Sequence, residues 1–146
     1  MEGLKSKVEQ ISVFLAGGVI YSMIEILWRG FTHWTMTVVG GVCFLLLYRL
    51  NKGMGGKPLW LRCLLGAGLI TAVEFAAGVV VNLIFRLDVW DYSGMPFNIL
   101  GQVCPAFAFM WLLLCVPAFL LCRLIGRFFA GIETESAESE EHRESA

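Results

Sequence analysis

Four apolar runs organise the chain, and polar residues collect between them. The runs cover residues 11–27, 36–48 with their flanks, 64–85 and 105–121. A segment of about 20 mostly apolar residues is what a helix needs to cross roughly 30 Å of hydrocarbon. The runs are continuous and lack the alternation of a barrel strand. In lipid the backbone must satisfy its own hydrogen bonds, so continuous runs predict helices. The expected elements are helices near 10–28, 34–48, 60–85 and 103–124. The fold class is therefore an all-α membrane protein, a four-transmembrane-helix bundle over residues 1–132.

Composition agrees with the pattern. The 146 residues are 58% hydrophobic with a mean hydropathy of +0.73, against about 45–50% apolar in soluble domains. That length suits one compact unit. The net charge of −1 conceals segregation, because six of the twelve acidic residues lie between Glu133 and Glu144. This stretch, 133–146, reads as an acidic cytoplasmic tail without fixed structure.

The remaining charges orient the chain. With the N-terminus inside, the inner segments near the spans hold Lys5, Lys7, Arg49, Lys52, Lys57, Arg62, Arg123 and Arg127, and the outer ones hold Arg29 and Arg86. Eight against two predicts cytoplasmic termini and a multi-pass protein of the cell membrane. Lys5 and Lys7 before an apolar run resemble a signal peptide. The run is too long, contains Glu25 and precedes no small-residue cleavage site, so a retained helix is expected.

An internal repeat is visible. Gly17 to Glu25 aligns without gaps on Gly66 to Glu74, and Gly40 to Cys43 aligns on Gly101 to Cys104 with twelve extra residues in the second half. Helices one and three run the same way, so this is a parallel two-helix repeat. Small residues at four-residue spacing, Gly18 with Ser22 and Gly68 with Ala72 and Ala76, predict close helix packing.

Glu25 and Glu74 are the main candidates for chemistry. Each lies 14–15 residues into its helix, about 21–23 Å at 1.5 Å per residue. A carboxylate at that depth faces a partner, water or the bundle interior. Arg29 follows Glu25 by one turn and can pair with it. Glu74 has no local cation, which makes it the better proton-binding member of a polar intramembrane site. Asn82, two turns beyond Glu74, extends the same face. In the second outer loop, Trp90, Tyr92 and Phe97 suit an interfacial aromatic belt, while Asp91, Ser93 and Asn98 suit a tight turn. The alternative is a lid that dips toward Glu74.

Other chemistries find no support. The five cysteines form no C-x-x-C pair, His33 stands alone, and neither a metal set nor a cofactor motif is present. Gly53 to Pro58 lacks the phosphate-loop spacing. No nucleophile sits beside a base, so the chain is not expected to be an enzyme. Lipid is the expected surrounding, and nucleic acid is not an expected partner.

Several of these residues carry a resemblance. They are Tyr21, Glu25, the stretch Arg29-Gly30-Phe31-Thr32-His33-Trp34, the pair Gly40-Gly41, Glu74, and Trp90-Asp91-Tyr92-Ser93 followed by Pro96, Asn98 and Gly101. In them the chain resembles the type IV ABC-transporter permease family of small bacterial membrane proteins. The resemblance implies a permease or permease subunit with a cytosolic ATPase as a possible partner. The single inner loop, 50–58, is short and glycine-rich, so an ATPase would also have to engage the termini. Four helices enclose little space, and a solute path would run between protomers of a homo-oligomer. Two other readings fit: an assembly or sensory subunit acting through a cytosolic partner, and a small proton-coupled exporter.

Overall fold

The computed structural model describes residues 2–144. Four helices carry the fold: α1 (Glu2–Arg29), α2 (Trp34–Gly53), α3 (Leu59–Gly78) and α4 (Pro105–Glu144). The axis of α3 continues through a π-helical stretch, Val79–Ile84. All four are long and apolar enough to cross a membrane, over Lys5–Arg29, Trp34–Gly53, Leu59–Ile84 and Pro105–Ile132. The chain is a multi-pass membrane protein, as the apolar pattern predicts.

The helices outrun the apolar stretches that announce them. α1 starts at Glu2, α2 persists to Gly53, and α4 continues to Glu144. Apolarity marks the part of a helix that meets lipid, whereas a formed helix propagates at one hydrogen bond per residue. The acidic stretch was expected to lack fixed structure, yet its backbone is helical as far as Glu144. Glu, Ala and Arg are good helix formers and extend a helix already begun. Ser145 and Ala146 lie outside the described residues.

Local chemistry sets the turns. Gly30 closes α1 with φ of 81° and donates its N–H to the Ile26 carbonyl at 2.8 Å, a left-handed cap that glycine adopts freely. His33 caps α2, its Nδ1 accepting from the Thr35 N–H at 3.4 Å. Pro58 precedes α3 in an extended conformation.

α2 is the hub, packed against α1, α3 and α4, while α3 also packs on α4. Its seam with α1 is tight because glycines let the backbones approach. A Cβ on Gly17 would fall 2.2 Å from Phe44 Cβ, and one on Gly40 would fall 2.3 Å from Tyr21 Cβ. Ser22 and Thr37 hydroxyls meet across the same seam at 2.7 Å. The main core joins Val13, Phe44, Leu47 and Tyr48 to Cys63, Ile70, Cys115, Phe119 and Cys122. All five cysteines are free and buried, and so act as small apolar groups.

Two sequence expectations differ here. The face of α3 that turns inward carries Gly66, Ile70, Glu74 and Gly78. Gly68, Ala72 and Ala76 lie on its exposed side, and nothing approaches the Gly68 Cβ position within 4 Å. Both sets have four-residue spacing, so spacing alone did not choose between them. The second block of the repeat also diverges. Gly40 to Cys43 lie inside α2, whereas Gly101 to Cys104 precede α4. The π-helical stretch and the long loop that follows absorb the extra residues.

Candidate functional site

The site begins at the π-helical turn. Widening the helix there leaves Asn82 buried, 6% exposed, with its amide turned to the loop that follows. Its Oδ1 accepts from the Val89 N–H at 2.8 Å. Its Nδ2 donates to the Trp90 carbonyl at 3.0 Å and to Gln102 Oε1 at 2.9 Å. Trp90 completes the knot by donating its indole N–H to the Gln102 carbonyl at 3.0 Å. One asparagine therefore fastens both ends of the loop to α3.

The loop itself is tightly wound. Arg86, Asp88, Phe97 and Leu100 all have φ between 47° and 56°, a region that side chains other than glycine enter reluctantly. Such backbone persists where surrounding bonds over-determine it, and the loop supplies them. Asp91 Oδ1 accepts from the Ser93 N–H at 2.8 Å and from the Ser93 hydroxyl. These donors hold the Asp91 carboxyl below its ordinary range. Asn98 donates to the Met95 carbonyl at 2.8 Å and accepts from the Gly101 N–H at 2.9 Å. Gly101 has φ of 68°, and a Cβ there would lie 2.6 Å from Ser93 Oγ.

The wound loop delivers Tyr92 to Glu74. Glu74 is only 3% exposed. Its Oε1 accepts from the Tyr92 hydroxyl at 3.3 Å, and its Oε2 accepts from the Trp111 indole N–H of α4 at 2.8 Å. Burial first, and then the negative charge of Glu74, push the Tyr92 hydroxyl above its ordinary range. Tyr92 therefore keeps its proton and remains a donor. Its ring stacks on Phe107 with centroids 4.4 Å apart. Tyr21 of α1 approaches Trp111 at 5.9 Å.

Glu25 lies apart from this knot, at the end of α1. Its Oε1 is 2.7 Å from Arg29 Nη2, close enough for an ion pair though off the axis of a hydrogen bond. Its Oε2 accepts from the Thr32 hydroxyl. Arg29 also donates through Nη1 to the Val89 carbonyl at 2.8 Å and lies 4.5 Å above the Phe31 ring. Glu25 is within electrostatic reach of Glu74, and the loop backbone joins the two: Val89 contacts Arg29, while Tyr92 contacts Glu74.

A groove separates α1 from α4. Its larger part, about 390 Å³, is bounded by Tyr21, Glu25, Trp28, Arg29, Tyr92, Phe107 and Trp111. An adjoining apolar part of about 200 Å³ continues between Gly17, Ile20, Phe44, Pro117 and Leu121. Charged groups gather at the end nearest the loop, and the rest is hydrocarbon.

Most candidate residues thus converge. Glu25, Arg29, Glu74, Asn82, Trp90 and Tyr92 form one continuous assembly, and Asp91, Ser93 and Asn98 shape the loop that carries it. Trp90 is buried in the knot, so it does not join the aromatic belt, and Tyr92 is turned inward. Phe97 is 88% exposed and does project outward. Sequence reasoning missed Thr32, Gln102 and Trp111. Thr32 had a signal, being a hydroxyl one turn past Arg29. Gln102 and Trp111 had none, because their partners lie far away in sequence.

Residues 17–137 match the family described as "Putative ABC-transporter type IV". No curated protein and no solved structure matches the chain.

Proposed function

Because the chain belongs to the Putative ABC-transporter type IV family, we propose that it is a permease or permease subunit whose solute path runs along the α1–α4 groove. The carrying observation is a groove with apolar walls and, beside its charged end, a buried carboxylate held, among the described residues, by neutral donors alone. An ionised group in hydrocarbon is expensive, and a purely structural contact would place a cation beside it. The bundle has little internal space, so the second wall of the path comes from another protomer.

The charge bias supports cytoplasmic termini. The turn between α2 and α3, residues 54–58, offers no helix for an ATPase to grip. α1 and α4 are long enough to overhang the bilayer at that end. Their 28 and 40 residues span about 42 and 60 Å, against roughly 30 Å of hydrocarbon. An ATPase would dock on these overhanging ends. The acidic overhang of α4 also suits a second reading, a non-transporting assembly or sensory subunit that binds a cytosolic partner.

Purified protein in liposomes, with and without its ATPase, tests the reading. Solute flux that disappears in Glu74→Gln supports it. Flux absent under every condition rejects it in favour of the second reading, and flux unchanged by that substitution removes Glu74 from the path. A cysteine at the exposed Gly94 checks orientation. Labelling of that cysteine only from the cytoplasmic face would reverse the topology.

A further inference from the structure

The ion balance of the groove is incomplete. Glu25 is matched by Arg29 at 2.7 Å. Glu74 receives only the Tyr92 hydroxyl and the Trp111 indole, and no cation contacts it among the described residues. Buried charges are ordinarily paired. Ionisation of Glu74 would leave one negative charge uncompensated behind the groove wall, so a cation that settles there favours the ionised form.

That wall is aromatic. Tyr21, Trp28, Tyr92, Phe107 and Trp111 all border the larger cavity. The faces of such rings attract cations, and indole attracts them most. Trp111 and Tyr92 also donate their polar hydrogens to Glu74. That donation pushes electron density into the rings and strengthens the attraction of their faces. The cavity, about 390 Å³, falls within the roughly 300–1,000 Å³ of ligand pockets. Its apolar extension suits a hydrophobic body rather than a hydrated ion.

We propose that the α1–α4 groove binds an amphipathic organic monocation, seated on Trp111, Tyr21 and Phe107 and balanced by Glu74. This rests on the permease reading for its role as substrate, but binding itself does not require transport. An anion of the same shape would face Glu74 without compensation. A neutral acyl chain would fill the groove and leave the charge unbalanced.

Equilibrium binding to the full-length protein in nanodiscs of zwitterionic lipid tests this, with tetraphenylphosphonium as probe and tetraphenylborate as the anion of the same shape. Tetraphenylphosphonium should bind saturably, and tetraphenylborate, measured in a separate titration, should not. Glu74→Gln should weaken binding about tenfold, as loss of one nearby charge in a partly desolvated site implies. Phe107→Leu should weaken it several-fold, and it decides the matter if Glu74→Gln does not fold. Equal binding of the two ions, no saturable binding, or wild-type affinity in the folded variants would overturn the proposal. Saturable binding without flux would uphold this site while rejecting the permease reading. Flux of another solute without such binding would do the reverse.

Discussion

Glu25 and Glu74 occupy matching places in the repeat, and the fold treats them differently. Glu25 is served from its own neighbourhood: Arg29 one turn on and Thr32 just past the helix end. Glu74 is served from a distance, by Tyr92 in the loop and Trp111 on α4. The first is a charged pair at the groove's rim, with side-chain exposures of 12% and 22%. The second is a single carboxylate, nearly sealed, with neutral donors. A local partner makes a carboxylate part of the scaffold. Under the permease proposal, a carboxylate assembled from three segments and left without a counter-charge among the described residues is the one that takes a ligand or a proton.

The contrast can be broken at the element that creates it. Asn82→Ala removes three buried hydrogen bonds and orphans the Val89 N–H, the Trp90 carbonyl and Gln102. Each unsatisfied buried group costs about 1–3 kcal/mol. The expected loss is therefore about 3 kcal/mol or more, seen as a large drop in thermal stability in detergent. Tyr92 should also leave Glu74, exposing the loop to protease. A near-wild-type melting temperature would show that the loop holds without its asparagine.

Glu25→Gln should be the next largest. It deprives Arg29 of its counter-charge, at a cost of about 1–3 kcal/mol. Arg29→Ala should cost more, because the Val89 carbonyl also loses its donor. Equal effects of the two would remove the loop contact from the account of Arg29.

Glu74→Gln sharpens the contrast from the other side. The amide oxygen can still accept from Trp111 or Tyr92, so stability should change by less than about 1 kcal/mol. Its effect belongs in binding and flux. A destabilisation matching that of Glu25→Gln, with activity per folded molecule unchanged, would make both carboxylates structural.

Tyr92→Phe should be similarly small. It deletes a 3.3 Å hydrogen bond and keeps the ring stacked on Phe107. A loss of about 0.5–1.5 kcal/mol is expected, read by chemical denaturation in mild detergent. A larger loss would mean that the hydroxyl, rather than the knot around Asn82, holds the loop to α3.

Apolar runs, charge bias and glycine punctuation made the spans legible, since each follows from the solvent a residue must meet. The same signals could not say which stripe of α3 turned inward. Gly68, Ala72 and Ala76 have the spacing of a packing face, as do Gly66, Ile70, Glu74 and Gly78. Burial of the second set came with the carboxylate, whose donors sit on α4 and the loop. Similarly, Trp90 and Phe97 are both aromatic residues of one outer loop. One is buried and the other exposed because the turn closed by the Met95 N–H on the Tyr92 carbonyl redirects the chain between them.

The sequence by itself determined that this is a four-helix membrane protein with two intramembrane carboxylates, and that Glu25 pairs with Arg29. Those facts depend on hydropathy, length and one helical turn, all of which are local. Tertiary structure alone decided that Glu74 meets Tyr92 and Trp111, that Asn82 and Gln102 lock the loop, and that a groove opens between α1 and α4. These depend on how far the π-helical turn swings the chain and on where glycines let α1 and α2 close. Residues far apart in sequence carry no mark of such meetings, because the contact energy exists only once the helices have packed.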